Sequence, residues 1–348
     1  MLAWIVAELS SRWRYRRVAL GGLSAVVLSA LICTAHTQVV YWRDNKTLWT
    51  HTLDFTRNNY IAHNNLGSAL YLQGANDEAI AQYQMALKIK PADVKALNNL
   101  GGALMKVGQT DEAMALFQKV LEYNPKFAAA HLNLAIAFKK RGQMDTAMIH
   151  YLKALEIQPN DAKTHYNYGL ALESIGQIEE AAAHYRKALD IKPDYAEACN
   201  NLGVYLAKRG EGDKAIGLFI RALDSKPDYA EAHYNLGIAL TGRAEVKEAI
   251  VHFRRALEIT PDDTKVHNSL GLVLAGVGRI DEAVAHFQKA LAVMPDYAEA
   301  YNSLGMVLAG RGEIDAAIMH FRKAVEFKPD YTEARENLAL ALEQLEQH

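Results

Sequence analysis

Histidine is the residue type in this sequence best suited to metal binding or proton transfer, and its positions are regular. Ten of the thirteen histidines fall into two series, within which neighbours lie 34 residues or a multiple of 34 apart. The two series are His63, His131, His165, His233 and His267, and His150, His184, His252, His286 and His320. In stacked units, equivalent residues lie about 10 Å apart, whereas all ligands of one zinc ion lie about 2.1 Å from the metal. The spacing therefore predicts packing roles for the histidines and no shared metal site.

The sequence carries no recognisable catalytic motif. HExxH, GxSxG, a phosphate-binding loop and CxxC do not occur, and no two aspartates are separated by a single residue. The two cysteines, Cys33 and Cys199, are too few to indicate a disulfide framework. We therefore predict that this chain is not an enzyme by itself and uses no cofactor, metal or small-molecule substrate.

The charge distribution argues against nucleic acid as the partner. The formal net charge is −2, which divides into +4 on residues 1–59 and −6 on residues 60–348. Nucleic-acid binding generally needs a basic patch or stripe that neutralises phosphates. The acidic body of this chain has no such stripe.

A period of 34 residues organises the chain from residue 60 onward. All eight prolines keep this spacing, and so do a series of alanines and a series of aromatic residues. The prolines are Pro91, Pro125, Pro159, Pro193, Pro227, Pro261, Pro295 and Pro329. A small residue follows the same period, as glycine at seven places and as Ala135 and Ala339 at the other two. Such periodicity predicts stacked copies of one supersecondary unit.

These residues resemble the tetratricopeptide repeat (TPR), a helix–turn–helix unit. The resemblance implies an all-α fold, a right-handed TPR superhelix (α-solenoid) of eight repeats closed by a capping helix. Positions are numbered 1–34 from Tyr60, and each repeat contains helix A followed by helix B. The repeats span 60–93, 94–127, 128–161, 162–195, 196–229, 230–263, 264–297 and 298–331, and the capping helix spans 332–348.

Several positions have a physical role in this unit. A small residue at position 8 lets helices A and B approach closely, and a glycine at position 15 ends helix A in a left-handed conformation. Repeat six has Ala244 at position 15, so we expect a looser turn there. Residues 43–59 place Trp49 and Leu53 at the spacing of core residues of helix B, which predicts an orphan half-repeat helix under repeat one.

Asparagines recur on helix A, although asparagine is a poor helix former. At 100° per residue, positions 5 and 6 fall opposite the sector that holds the apolar core pattern. Position 6 holds Asn65, Asn99, Asn133, Asn167, Asn201 and Asn235, and position 5 holds Asn64, Asn98, Asn200, Asn268 and Asn302. In the TPR family helix A lines a concave groove, so the resemblance implies an amide ladder that can bond a peptide backbone. The recurrent NLG most resembles the TPR arm of O-linked N-acetylglucosamine transferases. The alternative is that the asparagines bond within their own helix or across repeats.

The predicted groove is basic at one end. The earlier repeats have lysines at positions 2 and 13. The later repeats have acidic residues at position 2, except for Lys265, and glycine at position 13. The lysines that we add to the candidate peptide-binding groove are Lys95, Lys106, Lys140 and Lys163.

The N-terminal region predicts a membrane segment. Residues 18–35 carry no charge, and as a helix they would span about 27 Å, close to the hydrocarbon thickness of a bilayer. We predict a transmembrane helix over 18–42 that follows a basic flank, 1–17. A cleaved signal peptide is the alternative, although its apolar region is normally shorter. The arginines of the flank favour a single-pass protein of the bacterial inner membrane with the repeats on the non-cytoplasmic side.

Two functions fit the sequence. The first is a membrane-anchored scaffold that binds a protein or an extended peptide in its asparagine-lined groove. The second starts from YWRDNKTLWTHTL, residues 41–53, which resembles the junction before the TPR tail of bacterial proteins similar to protein O-mannosyltransferases. That resemblance implies the non-catalytic arm of a polytopic, glycosyltransferase-like membrane protein, which recruits the protein substrate.

Overall fold

A computed structural model describes residues 16–346, and within this range the chain forms nineteen α-helices and no β-strand. The first two are α1 (Arg16–Tyr41) and α2 (Asn45–Phe55), and the last is α19 (Thr332–Glu346). The helices A are α3 (Tyr60–Leu72), α5 (Val94–Lys106), α7 (Ala128–Lys140), α9 (Ala162–Ser174), α11 (Ala196–Lys208), α13 (Ala230–Gly242), α15 (Thr264–Gly276) and α17 (Ala298–Gly310). The helices B are α4 (Asn76–Ile89), α6 (Thr110–Tyr123), α8 (Met144–Ile157), α10 (Ile178–Ile191), α12 (Gly212–Ser225), α14 (Val246–Ile259), α16 (Ile280–Val293) and α18 (Ile314–Phe327). The predicted all-α repeat solenoid is confirmed.

The helices form two compact units. The N-terminal unit ends at Pro159 and contains repeats one to three, and the C-terminal unit begins at Asn160 and contains repeats four to eight with α19. Within each unit, helix B packs against helix A of its own repeat and against helix A of the next. Neighbouring helices A also pack directly on each other. The closer contact of the helices A places them on the inner side of each stack, and we call their shared surface the inner face.

The small residue at position 8 is required by an aromatic ring. A Cβ atom added to Gly101 would lie 2.5 Å from Cε1 of Phe117, and one added to Gly271 would lie 2.5 Å from Cε1 of Phe287. Both rings are fully buried. Glycine therefore lets the ring of helix B lie directly on the backbone of helix A, as the sequence predicts.

The turn between helices A and B has the same form in every repeat, including the sixth. Glycines at position 15 have φ between 75° and 88°, and Ala244 adopts the same left-handed conformation with φ of 62°. The hydrogen bonds are also equivalent, since the amide of Ala244 donates to Thr241 O at 3.0 Å and that of Glu245 donates to Leu240 O at 3.0 Å. The expected looser turn in repeat six is wrong, because these bonds hold the alanine in a conformation that costs an L-residue roughly 1–2 kcal/mol.

The two ends of the chain differ in how they are covered. Trp49 and Leu53 of α2 pack against the core of the first repeats, and α19 buries Ala334 and Ala341.

Among the residues that the structure describes, none of the helices is both long enough and apolar enough to cross a membrane. Most of the predicted basic flank, residues 1–15, lies outside the described residues.

Candidate functional site

The candidate site is the inner face of the helices A. Positions 2, 6, 9 and 13 follow one line along such a helix, because steps of four, three and four residues return to the same side. In repeat two this line is Lys95, Asn99, Gly102 and Lys106, and in repeat six it is Glu231, Asn235, Ile238 and Gly242. Each repeat therefore contributes one stripe of four positions to the inner face.

The asparagines pair across repeats. The amide at position 6 donates a hydrogen bond from Nδ2 to Oδ1 of the amide at position 5 in the preceding repeat. The four pairs are Asn99 to Asn64 at 3.0 Å, Asn133 to Asn98 at 2.9 Å, Asn235 to Asn200 at 2.9 Å and Asn337 to Asn302 at 2.9 Å. Cross-repeat bonding, one of the sequence alternatives, is therefore present in both units.

The two asparagine positions are not equivalent in burial. In the C-terminal unit the position 5 residues Asn200, Asn268 and Asn302 are buried, with exposures of 0%, 8% and 2%. The sequence places position 5 away from the core, but the structure turns it toward the next helix A, which lies directly against it. Asn99 and Asn235 at position 6 are half-buried and reach the surface.

Position 6 asparagines that face no asparagine in a preceding repeat bond to other groups. Asn167 donates to Lys163 O of its own helix at 2.8 Å, and Oδ1 of Asn65 accepts from Asn64 at 3.4 Å. Asn201 bonds the hydroxyl groups of Tyr166 and Tyr185.

One of the buried position 5 amides has an oxygen without a hydrogen-bond donor among the described residues. Oδ1 of Asn268 has no hydrogen-bond donor in the described part of the chain, because position 6 of the next repeat is Ser303. The hydroxyl of Ser303 donates instead to Glu299 O at 2.9 Å. Between repeats seven and eight, position 5 therefore holds an asparagine whose cross-repeat donor is missing.

The candidate lysines divide between the units. Lys95, Lys106 and Lys140 lie exposed on the N-terminal unit, and Lys163 lies exposed on the C-terminal unit. Near Lys95, a cavity of about 440 Å³ opens between repeats one and two, and its lining includes Asn64, Asn65 and Lys95. The structure thus brings two of the predicted amides and one predicted lysine to a single cavity.

The C-terminal unit carries two equivalent polar networks that the site prediction did not include. In the first, Lys226 Nζ lies 3.1 Å from Glu197 Oε1 and 4.7 Å from the ring centre of Tyr229, while Asn200 Nδ2 donates to Glu231 Oε1 at 3.2 Å.

The second network repeats the first at a distance of three repeats. Lys328 Nζ lies 2.8 Å from Glu299 Oε1 and 5.0 Å from the ring centre of Tyr331, and Asn302 Nδ2 donates to Glu333 Oε1 at 3.4 Å. The sequence signal that could have found both networks is KPDYAEA at 226–232 and KPDYTEA at 328–334, each preceded by a glutamate at position 2 and an asparagine at position 5. KPDYAEA also occurs at 192–198, but Lys163 and Tyr166 stand there in place of those two partners.

The two histidine series meet inside repeats three, four, six and seven. Nδ1 of position 4 and Nδ1 of position 23 lie 2.9–3.0 Å apart in the pairs His131–His150, His165–His184, His233–His252 and His267–His286. Their constant separation of 19 residues is the sequence signal that could have found these pairs.

The geometry of the histidine pairs is that of a hydrogen bond. Nε2 of His131 donates to Pro125 O at 3.1 Å, so its Nδ1 must accept from Nδ1–H of His150. Burial, and then the neighbouring ring, lowers the pKa of His150, His184 and His286 to about 4. Within residues 16–346, no group of three or more His, Cys, Asp or Glu side chains is placed to hold a metal ion.

Comparisons with known proteins place these features in a family. Models described as the tetratricopeptide or TPR repeat match residues 67–108, 104–167, 174–210, 200–264 and 263–330. No curated protein matches the chain.

Three solved structures are similar in fold. A chain of the APC/C hetero-tetramer Cut9–Hcn1 gives a TM-score of 0.63 at 16% identity, over 81% of this chain and 55% of its own length. The Pseudomonas aeruginosa pilF protein gives 0.56 at 24% identity, over 61% of this chain and 97% of its own. A TPR protein from Parabacteroides merdae gives 0.51 at 19% identity, over 72% of this chain and 98% of its own. This chain thus spans about half the length of the first of these, and all three likenesses concern the fold alone.

Proposed function

Because the chain belongs to the tetratricopeptide-repeat family, we propose that it is a scaffold that binds a protein or an extended peptide on the inner face of its helices A. Proteins built from this repeat generally act as non-catalytic scaffolds.

The orientation of the position 6 amides carries this proposal. Each paired amide uses one N–H for the bond to the preceding repeat, which fixes the plane of the amide group. Within residues 16–346 no protein group donates to Oδ1 of Asn99, Asn133 or Asn235. Asn133 and Asn235 also keep a second N–H, whereas Nδ2 of Asn99 lies 3.5 Å from Ser68 Oγ as well. These groups are the donor and the acceptor that an extended peptide backbone needs. Because position 5 already holds them in place, a peptide loses less entropy on binding.

Removal of two of these amides tests the proposal. Peptides selected from a random library against the full-length protein in detergent should bind N99A/N133A more weakly. Two lost hydrogen bonds at about 0.5–1.5 kcal/mol each predict a loss of roughly fivefold to a hundredfold in affinity, measurable by fluorescence anisotropy.

The matched control removes two exposed amides from helices B. Gln84 and Gln118 lie exposed on α4 and α6, so Q84A/Q118A should bind as the unchanged protein does. Equal affinity of N99A/N133A, in a protein whose circular dichroism is unchanged, would show that peptides bind elsewhere.

We also propose that residues 18–42 tether the protein to a membrane. The support is the uncharged run 18–35 together with the exposed apolar side chains of α1, such as Val18, Val26 and Ile32 at 75%, 66% and 66% exposure. Carbonate extraction should leave the full chain in the membrane fraction and release a chain that starts at Arg43. Release of the full chain without detergent would refute the tether.

A further inference from the structure

The inner face of the N-terminal unit carries positive charge without counter-charge. The lines at positions 2, 6, 9 and 13 of repeats one to three contain three lysines and no carboxylate. They are Ile61, Asn65, Ser68 and Leu72, then Lys95, Asn99, Gly102 and Lys106, then Ala129, Asn133, Ile136 and Lys140. The ion pairs in the described part of this unit, Lys90–Asp93 and Arg141–Asp111, involve none of these lysines.

One of these lysines, Lys95, lines the cavity of about 440 Å³ between repeats one and two. Its one carboxylate, Asp93, already accepts from the amide of Ala96 at 3.0 Å and pairs with Lys90 at 3.3 Å. Lys95 is the remaining charge at the cavity, next to the amides of Asn64 and Asn65. A carboxylate placed there would meet one ammonium group and amide N–H donors.

Gly102 keeps the centre of the same face open. Glycine in the interior of a helix is unfavourable, and packing does not require it here, because a Cβ atom at Gly102 would have no neighbour within 4 Å. Its missing side chain leaves room for a backbone to approach between Lys95 and Lys106.

We propose that this face of the N-terminal unit binds acidic peptides, with one carboxylate in the cavity at Lys95 and others at Lys106 and Lys140. The proposal rests on the proposed peptide-binding function and adds the class of ligand. Three repeats at about 10 Å each and about 3.3 Å per extended residue correspond to a segment of about nine residues.

Peptide pools that differ only in charge provide the test. Three pools of peptides of this length carry Glu, Gln or Lys at alternate positions and random residues between them, and each is titrated against the full-length protein at low salt. The Glu pool should bind best, and its affinity should fall with salt because exposed charges are screened. K95E/K106E/K140E should bind the Glu pool between about threefold and a hundredfold more weakly, since each exposed ion pair contributes a few-fold.

The control variant makes the same change in net charge on another surface. Lys88, Lys119 and Lys153 lie exposed on the helices B of the same repeats, so K88E/K119E/K153E should keep the affinity for the Glu pool. Equal binding of the three pools would overturn the acidic preference and leave peptide binding itself intact. A Glu pool that does not bind, or that loses affinity equally in both triple variants, would also overturn it.

Discussion

In repeat two of the N-terminal unit the ring of Phe117 covers Gly101, and in repeat seven of the C-terminal unit the ring of Phe287 covers Gly271. In both, a Cβ atom added to the glycine would lie 2.5 Å from the ring. The inner faces of the same two units are different. Repeat two presents Lys95, Gly102 and Lys106 around its asparagine, whereas repeat eight presents Glu299, Met306 and Gly310 around Ser303.

The difference extends along the whole C-terminal part of the array. Position 9 is apolar from repeat three onward, and it becomes exposed in repeats six to eight and in α19, where Ile238, Leu272, Met306 and Leu340 have exposures of 46%, 43%, 44% and 59%. Position 13 becomes glycine in the same repeats. The small residue at position 8 and the aromatic ring at position 24, such as Phe117 or Phe287, fix the packing of helix A on helix B. Positions 2, 9 and 13 can therefore vary without a cost to the fold. One array can therefore offer a cationic surface in one unit and an apolar, partly acidic surface in the other.

The largest difference that we expect between the two units is the stability that each loses in acid. The N-terminal unit has one histidine pair and the C-terminal unit has three. The folded-state pKa of about 4 for His150, His184 and His286 lies below the unfolded value of about 6.5. Their contribution to stability is therefore complete above pH 6.5 and is lost as the pH falls toward 4, on the order of 2 kcal/mol per pair. Hydrogen exchange at pH 7.5 and pH 4.5, corrected for intrinsic rates, should show the larger loss in the C-terminal unit.

Repeat one supplies the control for this experiment. There Gln82 occupies position 23, and its Oε1 lies 2.8 Å from Nδ1 of His63, so the contact exists without a second imidazole. H286Q should reduce the acid sensitivity of the C-terminal unit, and H150Q should remove most of that of the N-terminal unit. Equal acid sensitivity of the two units, unchanged by either substitution, would show that the pairs are not the cause.

The sequence predicted the fold because its strongest signals act locally. Proline ends helix B and left-handed glycine ends helix A within one or two residues of where they stand, so a period of 34 leads directly to stacked helix pairs. The turn at Ala244 shows the limit of a local rule, since the hydrogen bonds of the neighbouring backbone impose the glycine conformation on an alanine.

The inner face was predicted less completely, because its contacts join different helices. The rotation of a single helix at 100° per residue places position 5 opposite the core, but it omits the next helix A, against which Asn200 and Asn302 are buried. The histidine pairs likewise depend on how helix B is rotated against helix A. In the N-terminal unit the sequence located the lysines, but only the structure showed that Lys95 shares a cavity with two asparagines.

The smallest expected effect concerns the cross-repeat donor that Asn268 lacks in the described chain, a difference between the C-terminal unit and the N-terminal one. At Asn302 the buried Oδ1 accepts from Asn337 at 2.9 Å, whereas at Asn268 the same atom has no donor in the described residues, because Ser303 is too short to reach it. S303N should supply that donor and raise the free energy of unfolding of the C-terminal unit by about 1 kcal/mol, since a buried acceptor gains a partner. N99S makes the reverse change in the N-terminal unit, where it removes the donor to Asn64, and should lower stability by a similar amount. Urea denaturation followed by hydrogen exchange assigns each change to its unit. If S303N lowers stability, Oδ1 of Asn268 does not lack a donor in solution, and a missing bond at this amide does not distinguish the two units.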